Sequence, residues 1–152
     1  MPLEIVIGNI VEQKTDIIVS SNNNKMIAVG ANSLAIFNKI GYKKVLKAIK
    51  DYRNLKTTEV AVTSGFDLCQ KIIHVVSPIY DESSDSNEKL LLETYNNVLL
   101  KAKQLLARSI SFPLISVGAN KYPRQLALDI AIKAIRNFIK DNDLDVKLVL
   151  LP

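Results

Sequence analysis

The sequence predicts an α/β protein, a three-layer α/β/α sandwich around a mixed, mostly parallel central sheet. Short β-favouring apolar runs alternate with stretches of helical period along the chain. Those runs are apolar nearly throughout rather than every second residue, the pattern of strands covered on both faces. Two of them lead directly into loops of small and polar residues, Ser20 to Asn24 and Ser116 to Lys121. In such a sheet these loops share one edge, where small ligands bind.

Each element has its own signal. Leu3 to Ile7 is a short apolar run ended by Gly8, and Ile17-Ile18-Val19 is a second. From Ala31 to Tyr52, residues Leu34, Ile36, Phe37, Ile40, Val45, Leu46 and Ile49 keep helical spacing, with Gly41 dividing two helices. Glu59 to Thr63 alternates before Gly65, and Ile72 to Val76 favours β structure until Pro78 stops it. Asp81 to Asn87 is polar and reads as a loop. The cap-like Asp85-Ser86-Asn87-Glu88 then opens a helix through Leu91, Leu92, Tyr95, Val98, Leu99, Ala102, Leu105 and Leu106. Ile110 to Ile115 reads as the next strand, and Pro123 opens a helix carrying Leu126, Ile130, Ala134 and Phe138. Val146 to Leu150 completes the set. With no repeat and no internal boundary, residues 1–152 form a single domain.

Composition narrows the function. No apolar stretch approaches the roughly 18 residues that span a bilayer, and Met1-Pro2-Leu3-Glu4 lacks the features of a secretory signal. The single cysteine, Cys69, excludes an internal disulfide, and together with a single histidine, His74, it leaves no metal-ligand set. A reducing cytoplasmic setting follows, with no cofactor, metal or membrane partner called for. Both Cys69 and His74 read as core residues. The net charge of +5 is concentrated from Lys39 to Lys56, where Lys39, Lys43, Lys44, Lys47, Lys50, Arg53 and Lys56 face only Asp51. Lys43, Lys44, Lys47 and Lys50 make either a solvated helix face or a footprint for nucleic acid or another polyanion. No base-reading motif accompanies them.

Five segments resemble a known family in order. Gly8-Asn9-Ile10 resembles Gly-Asp-Ile, and Thr15 to Asn23 resembles Val-Asp-Ala-Ile-Val-Asn-Ala-Ala-Asn. Thr58 to Leu68 resembles Thr-Gly-x-Ala-x-x-Thr-x-Gly-x-x-Leu, and Ile73 to Tyr80 resembles Ile-His-x-Val-Gly-Pro-x-Tyr. Ser109 to Pro123 resembles Ser-Ile-Ala-Phe-Pro-x-Ile-Ser-x-Gly-x-Tyr-Gly-Tyr-Pro. These are the motifs of the macro domain, the ADP-ribose-binding module, and the similarity runs over nearly the whole chain.

The resemblance implies a ligand set of Asn9, Ile10, Ser21, Asn23, Val29, Gly30, Ala31, Asn32, Ser116, Val117, Gly118, Ala119, Asn120 and Lys121. The departures from the family fall on this set. Asn9 stands where the family has the aspartate that accepts a bond from the adenine amino group, which replaces a charge-assisted bond by a neutral one. Asn23 matches the asparagine that contacts the distal ribose and that hydrolytic members need. The acidic residue of those members falls near Leu34, which cannot activate water. The family's glycine triplet is reduced to Gly30-Ala31-Asn32. In the second loop Asn120 replaces an aromatic that walls the ribose, and Lys121, in place of a glycine, either fills the groove or offers a cation. Little sequence follows Leu150 to back the base. The implied function is binding of ADP-ribose, a related nucleotide diphosphate or an ADP-ribosylated protein, with altered or weakened preference. The alternatives are a degenerate macro domain that contacts RNA or protein through its basic face and, less favoured, an ADP-ribosyl hydrolase dependent on Asn23.

Overall fold

The computed structural model describes residues 2–28, 30–52 and 54–152. In chain order the elements are β1 (Leu3–Ile7), β2 (Ile17–Asn22), α1 (Ala31–Ile40), α2 (Tyr42–Ile49), β3 (Val60–Ser64), β4 (Lys71–Val76), α3 (Asn87–Gln104), β5 (Ser109–Pro113), α4 (Arg124–Ile139) and β6 (Asp145–Leu150). The strands form one six-stranded sheet in the order β1-β6-β5-β2-β4-β3. Every neighbouring pair is parallel except β3 and β4, which run antiparallel. This is the mixed, mostly parallel sheet that the pattern of apolar runs predicts.

Period-two alternation splits each central strand between two cores. Ile17 and Val19 of β2, with Ile73 and Val75 of β4, pack against Leu91, Tyr95, Val98 and Leu99 of α3 and Ala127, Ala131 and Ile135 of α4. Ile18 and Ile72 face the other way, onto Ile36 and Phe37 of α1 and Val45 and Ile49 of α2. Both faces of the sheet are thus covered, so strand sequences have no polar side to show. Burial of side chains this large contributes on the order of 1.5–3 kcal/mol each.

Several boundaries differ from the apolar pattern: β2 continues through Ser20–Asn22, which read as loop, and α3 ends at Gln104, before Leu105 and the exposed Leu106. The run from Ile110 to Ile115 predicts a longer strand, yet β5 stops at Pro113 while Leu114 and Ile115 stay buried in the following turn. Hydropathy reports burial there, not ladder pairing. Pro123 caps α4 from outside rather than occupying its first turn. Gly41 does divide α1 from α2: its φ of 124° is open to glycine, and its N–H closes α1 on the Phe37 carbonyl at 2.8 Å.

The connections position the site. The chain leaves β2 toward α1 on one face and leaves the adjacent β5 toward α4 on the other. Neighbouring strands whose carboxyl-end loops diverge in this way open a crevice between them.

Candidate functional site

A cleft of about 290 Å³ occupies that crevice. Ser21 of β2, Pro113 at the end of β5 with Leu114 just after it, and Val149 and Leu150 of β6 with Leu151 following make its floor and one wall. Gly30 to Ser33 enter from the start of α1, and Ser116, Val117, Gly118 and Arg124 from the loop into α4.

The cleft's polarity comes from the main chain. Gly30 caps α1 without any side-chain hydrogen bond, and the first helical bond is Leu34 N–H to the Gly30 carbonyl at 3.1 Å. The N–H groups of Ala31, Asn32 and Ser33 therefore have no acceptor among the described residues, as the first turn of a helix dictates. Across the cleft, Lys121 N–H bonds Gly118 O at 2.9 Å and Tyr122 N–H bonds Ser116 O at 3.0 Å. Those two bonds fold the loop into a tight turn and leave the N–H groups of Val117, Gly118, Ala119 and Asn120 without acceptors among the described residues. Gly30 has φ 104° and Gly118 has φ 93°, and a Cβ built on either would meet nothing within 4 Å. Two rows of donors thus stand beside glycines that open onto empty space, an arrangement suited to an anion.

Of the residues that the sequence nominates, Ser21, Gly30, Ala31, Asn32, Ser116, Val117 and Gly118 line the cleft. Val29 lies outside the described residues. The others sit elsewhere for local reasons. Asn9 is exposed and caps a short 3₁₀ turn, its Oδ1 accepting Val11 N–H at 3.1 Å. Ile10 is fully buried with α1's core residues, holding that helix in place. Asn23 turns inward on its own loop, its Oδ1 accepting Lys25 N–H at 2.9 Å and Ile27 N–H at 3.1 Å. Asn120 donates from Nδ2 to the carbonyls of Ser77 and Pro78, and its own carbonyl accepts Tyr80 N–H at 3.0 Å. The amide that replaces an aromatic is a strut between two loops and does not fill the cleft. Ala119 and Lys121 are exposed and outside the lining, Lys121 with φ 61°. Lys121 does not fill the groove, and its exposure is that of a solvated loop lysine.

Sequence reasoning nominated none of Ser33, Pro113, Leu114, Arg124, Val149, Leu150 and Leu151, which also line the cleft. Arg124 opens α4 and is the one ionisable side chain among the described lining residues. A cation in the first turn of a helix opposes the helix dipole, and that mismatch was its available signal. Leu151 supplies apolar wall where the short C-terminal segment promised little. It had no signal beyond hydropathy.

His74 belongs to the core. It is fully buried, with Nδ1 3.1 Å from Asn22 Nδ2 and Nε2 2.9 Å from Thr63 Oγ1, and Phe37 crosses its ring edge-on. Burial pushes its pKa down to about 4, so the ring is neutral near pH 7. Burial likewise pushes the Cys69 thiol up to about 11, which removes the thiolate a nucleophile needs. No group of potential metal ligands clusters among the described residues. No described helix is long and apolar enough to cross a membrane. On α2, Lys43, Lys44 and Lys47 are exposed opposite the buried Val45 and Ile49, with Lys50 following, and none of these lysines forms an ion pair among the described residues.

Fold and cleft together define a three-layer α/β/α protein with a crevice at the carboxyl edge of its sheet. The model of the Macro domain family matches residues 19–131, and the chain belongs to that family. A macro domain-containing protein of Methanosarcina mazei is 32% identical over 143 residues, covering 93% of this chain and 76% of that protein. A protein of Salmonella newport named O-acetyl-ADP-ribose deacetylase is 33% identical over 142 residues, covering 90% of this chain and 79% of its own length. A structure of a variant Oceanobacillus iheyensis macrodomain with ADPR superposes at a TM-score of 0.90 and 38% identity, covering 98% of this chain and 84% of that one.

Proposed function

We propose that this macro domain is a binding module for ADP-ribose or a related nucleotide diphosphate, free or carried on a modified protein. The observation that carries the reading is the main-chain N–H groups without acceptors among the described residues, at Ala31 to Ser33 on one side and at Val117 and Gly118 on the other, set beside two glycines with open positions. A diphosphate between them would satisfy main-chain N–H groups that have no acceptor among the described residues. Val149, Leu150 and Leu151 offer apolar surface for the base at the same cleft. The similarity to a macrodomain with ADPR bound supports this placement.

Retention is favoured over turnover. Arg124 is the one ionisable side chain among the described lining residues, and that lining offers no carboxylate, imidazole or thiol for general acid–base work. Asn23 Oδ1 is engaged by its own loop, and the stretch near Leu34, where the resemblance puts the family's acid, carries no carboxylate. A free, unreactive Cys69 suits a reducing cytoplasm. Calorimetry with ADP-ribose tests binding, and heat that saturates at micromolar to submillimolar ligand is the expected result. A flat titration at millimolar ligand rejects the proposal. Release of ADP-ribose from a modified protein, lost on Asn23→Ala, would replace binding by hydrolysis.

A second reading rests on the unpaired lysines of α2. Lys39 and Lys44 flank a notch lined also by the exposed Phe66 and by Asp67, so a polyanion there would meet two cations and an aromatic surface against one carboxylate. RNA binding of this kind must weaken steeply with salt and vanish when Lys43, Lys44 and Lys47 are reversed to glutamate.

A further inference from the structure

We infer that Arg124 is the cation that grips the ligand's phosphates, and that the cleft selects a nucleoside diphosphate with little gain from a second sugar. The inference deepens the nucleotide reading of the same cleft and rests on it. Its starting point is which polar side chains of the cleft are already occupied. Five described lining residues carry polar side chains: Ser21, Asn32, Ser33, Ser116 and Arg124. The Ser21 hydroxyl pairs with that of Ser77, Ser33 Oγ donates to Gly30 O at 3.4 Å, and Ser116 Oγ donates to Pro78 O at 2.7 Å. Asn32 and Arg124 alone have no side-chain partner among the described residues. Ser33 and Ser116 spend their hydroxyl protons on protein carbonyls and Ser21 shares one with Ser77, so these side chains can accept from a second sugar but offer it few donors beyond the Asn32 amide. A diphosphate needs main-chain N–H groups and positive charge, and both are present.

Arg124 is placed for that role on electrostatic grounds. It is exposed and opens α4, whose N-terminus has no side-chain cap and no acidic residue in its first turn. A guanidinium beside the positive end of a helix is unfavourable when the cleft is empty, and an anion between the two relieves it. The planar fork also matches a phosphate with two parallel bonds, which a lysine cannot reproduce. Lys121 is the neighbouring alternative, and it lies outside the lining.

The test is calorimetry of wild type, Arg124→Ala, Arg124→Lys and Lys121→Ala with ADP, ADP-ribose and AMP. Wild type is expected to bind ADP and ADP-ribose within about threefold of each other and AMP about tenfold or more weaker, since one phosphate leaves donors unmet. Arg124→Ala is expected to weaken ADP about tenfold or more, with Arg124→Lys intermediate. It should also flatten the salt dependence, while Lys121→Ala behaves as wild type. Because Arg124 is exposed and its charge opposes the dipole of α4, the ligand-free variants should melt at or slightly above wild type, which separates lost binding from lost fold. Wild-type affinity for ADP-ribose more than about tenfold above ADP would overturn the selectivity. An unchanged Arg124→Ala would overturn the residue's role while leaving the nucleotide reading standing. If wild type binds neither ligand, both readings fall.

Discussion

An added Cβ at Gly65, in the turn between β3 and β4, would lie 2.0 Å from the Cys69 carbonyl oxygen and 2.8 Å from its Sγ. At Gly30 and Gly118 the same atom would meet nothing within 4 Å. Gly65 is a hydrogen because the chain folds back upon it, its carbonyl accepting Leu68 N–H at 2.9 Å and its N–H reaching Gln70 O at 3.1 Å. The cleft glycines sit at positive φ in loops that have room to spare. One glycine serves the packing of the protein against itself. The other two keep clear a volume that the protein leaves unfilled.

That contrast can be broken by mutation. Gly65→Ala should cost the most, about 3 kcal/mol or more, because a backbone carbonyl cannot move aside as a flexible side chain would. Chemical denaturation measures it, and a cost below that of Gly118→Ala would erase the distinction. Acidification probes the crowded interior again through His74. Its folded pKa of about 4 lies below its unfolded value of 6.5, so the unfolded chain takes up the proton first. The stability this represents is fully present above about pH 6.5, is lost as pH falls toward 4, and amounts to on the order of 3 kcal/mol. A His74→Gln variant should show a flatter stability profile between those limits. Gly118→Ala should cost about 1–2 kcal/mol from its positive φ alone. Its larger effect should appear in ligand affinity, since the methyl enters the open volume. Asn23→Ala removes two bonds from a surface loop and should cost about 1 kcal/mol, the smallest change of the four. Thermal melts would order the set.

The same contrast explains what could be read from the sequence. A buried element announces itself: strands β2, β4 and β5 are apolar because both their faces are covered, and Gly41 and Pro78 mark real interruptions. The end of β5 was misplaced because Leu114 and Ile115 are as buried as the strand that precedes them. Gly30 and Gly118 were readable because only glycine reaches positive φ without cost. Asparagines carry no such mark. Asn23 and Asn120 have the composition of ligand contacts, yet their amides can equally satisfy loop carbonyls and N–H groups, and only coordinates show which they do. Arg124 was hidden by the opposite problem, a residue type so common on helix surfaces that its place at the first turn drew no notice.

The bare amino end of α1 has a consequence for how the molecule behaves in solution. Whatever anion settles against Ala31, Asn32 and Ser33 completes a helix start that no described side chain caps. Occupancy and thermal resistance are then one variable, with ligand at a hundred times its dissociation constant adding about 2.7 kcal/mol. Amide protons in that first turn should exchange with deuterium more slowly as the site fills. Melting temperature therefore becomes a direct assay for screening nucleotides against this protein.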